Sequence, residues 1–75
     1  MKKQYKVGDL FQKPHYYAKP GKITGLLIDI QTVITEVYTI QWYYADDVTE
    51  TKLCYIKSEI DTYCANICDW KHYPA

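Results

Sequence analysis

The chain has no arginine. Its nine basic residues are all lysine, and nine acids bring the net charge to zero. Arginine is the preferred fork for phosphate and guanine, so its absence argues against sequence-specific nucleic-acid recognition. Lysine alone still allows weak, salt-sensitive backbone binding. Only three glycines occur, and no Gly-rich loop is present to cradle a phosphate. Cysteine is sparse and odd in number: Cys54, Cys64 and Cys68. At least one thiol is therefore unpaired, which fits a reducing compartment rather than a secreted disulfide scaffold. No apolar run approaches the ~20 residues that span a bilayer. The basic start, Met1-Lys2-Lys3, is not followed by a signal-peptide core. The expectation is a soluble cytoplasmic protein without membrane contact.

Aromatic residues are abundant: nine Tyr, two Trp and one Phe in 75 residues. A single domain of this size, residues 1–75, buries only roughly 60% of its unfolded surface. It has interior room for some of these rings and not for all. The remainder should lie outside, where rings make good partner contacts. Charge is also unevenly placed. Residues 1–25 hold six lysines and one acid, whereas residues 26–75 hold three lysines and eight acids. A fold that interleaves its strands would dilute that asymmetry.

Alternation and turn residues predict a succession of short strands. The first covers residues 5–12, with Gly8-Asp9 as a bulge or bend. Residues 13–22 contain Pro14, Pro20 and Gly21 and read as a loop carrying His15, Tyr16 and Tyr17. The second strand covers 22–31, with Leu26, Ile28 and Ile30 on one face and a bend at Gly25. Residues 32–36 hold no Asn-Gly signal and predict a connection longer than a two-residue turn. The third strand covers 36–45. Tyr38, Ile40, Trp42 and Tyr44 share its core face, opposite Val37, Thr39, Gln41 and Tyr43. Asp46-Asp47 is a polar turn, and residues 50–57 form the fourth strand. Ser58-Glu59-Ile60-Asp61 reads as a short helical turn capped by Ser58. Residues 62–68 then read as a short fifth strand, with continuation of the helix as the lesser alternative, and 69–75 as an irregular aromatic tail.

The order Val7-Gly8-Asp9-Leu10, Gly21-Lys22-Ile23-Thr24-Gly25, Tyr38-Thr39-Ile40-Gln41-Trp42 and Ser58-Glu59-Ile60-Asp61 resembles small SH3-like β-barrel proteins encoded by tailed bacteriophages. More distantly it resembles Tudor and chromo-type barrels. The resemblance covers about residues 5–66 and leaves the tail, 67–75, outside. It implies an all-β, five-stranded SH3-like barrel with one helical turn before the last strand. It also implies a viral setting, in the host cytoplasm or the virion. No catalytic residues come with it.

Several constellations compete for function. Cys64, Cys68 and His72 stand at i, i+4 and i+8, which would align three metal ligands on a helix, with Cys54 or His15 to complete a tetrahedron. The lack of a closer C-x-x-C pair weighs against this, and no metal or cofactor is expected. A Cys–His nucleophilic pair lacks a recognisable third group or oxyanion hole, so no enzyme is expected. An aromatic cage of Trp42, Tyr43 and Tyr44, with Tyr16 or Tyr17, is opposed by alternation, which sends neighbours to opposite faces. Two readings remain. The preferred one is a non-enzymatic protein-interaction or assembly module, binding a protein partner or its own copies, with Tyr16, Tyr17, Tyr43, Trp70 and Tyr73 as contact rings. The alternative is a weak, non-sequence-specific nucleic-acid-binding module that uses Lys13, Tyr16, Tyr17, Lys19 and Lys22.

Overall fold

In the computed structural model of the chain, residues 4–14, 21–44, 50–65 and 68–75 are described. Five antiparallel strands form one sheet: β1 (Leu10–Pro14), β2 (Lys22–Thr32), β3 (Glu36–Tyr43), β4 (Glu50–Ile56) and β5 (Lys71–Tyr73). One helix, α1 (Lys57–Ala65), stands between β4 and β5. The strand order is β4-β3-β2-β1-β5. The sheet is open, with β4 and β5 as its edges.

The core follows the pattern of β3, where Tyr38, Ile40 and Trp42 are buried as alternation requires. From β2 come Ile23 and Leu27, from β1 Phe11, and from α1 Ile60. Gly25 faces Trp42 across the β2–β3 ladder. A Cβ there would lie 2.6 Å from Ile40 Cγ2 and 2.6 Å from Trp42 Cε3. The glycine is required by space, because the Trp42 ring occupies the position a side chain would take.

Four expectations need correction. The first strand begins at Leu10 rather than at residue 5. Gly8, at φ 102°, turns the chain before it, although Gly8 N–H and Asp9 C=O still bond the backbone of Leu27. Leu26, Ile28 and Ile30 do not share a face. Register shifts between Leu27 and Asp29, and this bulge moves the core face from Leu27 to Ile30. The helical turn extends through Ala65, so residues 62–65 continue the helix, the lesser of the two readings, instead of opening a strand. Its cap is also different: Glu59, three positions into the helix, accepts a hydrogen bond from Ile56 N–H at 3.0 Å, the reciprocal half of a capping box. Finally, the tail is ordered. Asp69 takes a left-handed turn at φ 58°, Trp70 N–H bonds Tyr63 C=O, and Lys71–Tyr73 adds β5 to the free side of β1.

That return of the tail decides the place of Trp70. It is only 7% exposed and is packed edge-on against Trp42 (5.1 Å between centroids) and Tyr55 (5.3 Å). Tyr63 lies 4.9 Å away. The ring is thus core, which corrects its assignment to the surface. Trp42 Nε1–H donates to Tyr55 Oη at 3.0 Å, which satisfies the indole inside the cluster.

Candidate interaction surfaces

The open face of the sheet is built by register. Positions opposite one another across antiparallel strands share a face. Lys71, Gln12, Thr24 and Tyr43 therefore form one row across β5, β1, β2 and β3. Tyr73, Leu10, Leu26 and Gln41 form the next. All eight lie opposite the core face. Tyr43 is 41% exposed and Tyr73 48%, and the Tyr73 hydroxyl donates to Gln12 Oε1 at 3.3 Å. Of the five expected contact rings, these two are brought to one surface. Tyr16 and Tyr17 lie outside the described residues, as do His15 and Lys19.

At the end of this face, a cleft of about 200 Å³ is lined by Gln12, Lys13, Pro14, Lys22, Asp69, Lys71 and Tyr73. The Lys13 ammonium sits 4.2 Å from the Trp42 centroid and 5.5 Å from that of Trp70. Burial lowers its proton affinity, and the two ring faces hold the ammonium in place without neutralising it. Among the described residues, Lys13, Lys22 and Lys71 form no ion pair. Lys13 and Lys22 were visible in sequence as one basic segment, but Lys71 and Asp69 were not. They come from the acidic part of the chain, so the fold partly interleaves the two halves. The only sequence signal for them is the alternation in Lys71-His72-Tyr73.

At the far end of β2, three residues connect it to β3. Val33 is 83% exposed and Ile34 99%. Val33 N–H bonds Thr35 C=O at 3.3 Å and fixes the loop. Ile56, opposite Val37 on the open face, adds further exposed apolar surface. Sequence reasoning missed this tip. The available signal was an apolar Val-Ile pair where turn-forming Gly or Asn is usual.

The thiol and imidazole candidates separate. α1 ends at Ala65, and His72 sits on β5, so Cys64, Cys68 and His72 do not align on one helix. Cys54 and Cys68 are exposed and Cys64 half-buried, and no disulfide joins them. Among the described residues, no three His, Cys, Asp or Glu side chains approach closely enough to hold an ion. His72 Nε2 instead lies 2.8 Å from Asp9 Oδ2, with its ring stacked on Phe11 and edge-on to Tyr5. Asp9 is buried and also accepts from the backbone N–H of Lys6 (3.0 Å) and Ala75 (2.9 Å). Burial pushes its carboxyl up, but the bonds from Ala75, His72 and Lys6 outweigh this and hold it below its ordinary value of 3.8. Both Asp9 oxygens are thus engaged in tying the segment before β1 to the tail. Tyr5 also bonds Asp61 on α1, and burial together with this carboxylate raises its phenol.

The chain matches no protein-family model, and no curated protein or solved structure matches it significantly. Among the described residues, no helix is long and apolar enough to cross a membrane.

Proposed function

We propose that this chain is a non-enzymatic interaction module that docks the β2–β3 tip into an apolar socket on a protein partner. The observation that carries this reading is the near-complete exposure of Val33 and Ile34 on a hydrogen-bonded three-residue loop. Scattered exposed apolar residues are ordinary. Here two adjacent ones project from a strand end and add little to the chain's own core. Burying an aliphatic side chain of this kind yields about 1.5–3 kcal/mol, which makes the pair a natural anchor. Ile56 and Val37 extend the contact along the open face.

Strand order supports the finer reading of the fold as an SH3-like barrel. The eleven-residue β2 pairs with β1 through its first half and with β3 along most of its length, with a bulge between Leu27 and Asp29. A small assembly or accessory protein of a bacteriophage is the setting this reading takes. That setting rests on the sequence resemblance alone.

The test is affinity capture from the native source with the wild-type chain and with Val33→Ser/Ile34→Ser. Light scattering run in parallel detects self-association. One stoichiometric partner should be recovered by the wild type and lost with the variant, while the unfolding curves coincide. Equal recovery by both proteins would remove the tip from the interface.

A further inference from the structure

The cleft at the opposite end of β2 has a different chemistry and carries a separate conclusion. Two lysine side chains, Lys22 and Lys71, stand on its face of the sheet against one carboxylate, Asp69. The Lys13 ammonium is held over Trp42 and Trp70, on the core face of the sheet, and is not part of this charge. Lys22 and Lys71 are exposed, and neither is ion-paired among the described residues. Beside them, Tyr73 and Tyr43 project from the same face of the sheet. They belong to adjacent rows on β5 and β3. Three strand spacings separate those strands, about 14 Å.

We infer that the cleft and the adjoining open face bind single-stranded nucleic acid without sequence preference. Phosphates occupy the cleft on Lys22 and Lys71, and bases stack on Tyr73 and Tyr43. The lysines account for the anion. The exposed rings favour a nucleic acid over an acidic peptide, because each base offers a π-face to a Tyr. A single strand is favoured over a duplex because paired bases are not free to stack. Without arginine, no bidentate base readout is available, so binding is not sequence-specific. Asp69 opposes the phosphates and limits affinity.

The test is fluorescence anisotropy of a short labelled oligothymidylate at low ionic strength. Binding should weaken with salt with a log–log slope of about −1.4, from two lysines at roughly 0.7 each on a single strand. Lys22→Gln and Lys71→Gln should each weaken binding and reduce the slope by about 0.7. Tyr73→Leu should weaken binding by about five-fold or more while leaving the slope unchanged. Asp69→Asn should tighten it about two-fold or more, since Asn also tolerates the left-handed turn. Lys6→Gln makes the same charge change on an exposed residue outside the cleft and should have little effect. These side chains are largely exposed, and matching unfolding curves would show that each variant folds. No binding at low ionic strength overturns the inference. So does an equal effect of Lys6→Gln and Lys71→Gln, or equal competition by polyglutamate. An unchanged affinity in Asp69→Asn would place the phosphate outside the cleft and overturn it as well.

Discussion

Replacing Asp9 by Asn removes one charge and almost no volume from the most heavily bonded polar group in the interior. The carboxylate accepts from Lys6 N–H, Ala75 N–H and the His72 ring at 3.0, 2.9 and 2.8 Å. A hydrogen bond to a charged group contributes about 1.5–3 kcal/mol net. Asn can keep its oxygen toward Lys6 and His72, which share Oδ2, but its amide nitrogen then faces the Ala75 N–H, so one bond is lost and the other two lose their charge. Incomplete additivity reduces the total, and a loss of about 3 kcal/mol is expected. For a chain of 75 residues, total stability should be roughly 4–11 kcal/mol, so the variant retains a fraction of it. Urea unfolding would read this as a fall of about 2–3 M in midpoint at unchanged slope. The dependence on pH has a definite sign. The folded carboxyl lies below its ordinary 3.8, so its contribution is complete above that value and is lost as pH falls through the lower folded value. The gap between wild type and Asp9→Asn should therefore narrow from about pH 4 downward. A midpoint drop under about 0.5 M, or a gap that stays constant in acid, would refute the role given to this charge.

Two further substitutions check the core. Gly25→Ala places a methyl group 2.6 Å from Ile40 and Trp42 carbons, and overpacking should cost about 1–3 kcal/mol; a thermal midpoint at or above that of the wild type would contradict this. Trp70→Ala should cost about 3–5 kcal/mol in denaturant unfolding, as expected for a buried ring. A loss under about 1 kcal/mol would return Trp70 to the surface.

The strands of the middle of the chain were legible because one face of each is buried. Tyr38, Ile40 and Trp42 alternate with half-exposed Val37, Thr39 and Gln41, and that pattern is written directly in residue order. The β2 bulge was not legible, because one inserted residue moves the apolar set to the other face and leaves composition unchanged. The extent of α1 was hidden by its weak amphipathic pattern: only Ile60 is buried. Of the candidate surfaces, Lys13, Lys22, Tyr43 and Tyr73 were named from sequence. Lys71 and Asp69 were not, because nothing local shows that β5 will pair with β1.

Residue order by itself determined the mostly β character, the core stripe of β3, the surplus of rings over interior space and the lack of arginine. These depend on composition and on a two-residue period, both of which are local. The tertiary structure alone decided which rings are surplus. The left-handed turn at Asp69 brings the tail back onto β1, buries Trp70 against Trp42 and exposes Tyr73 beside Lys71. That partition depends on contacts between residues far apart in the chain, which no sequence window can contain.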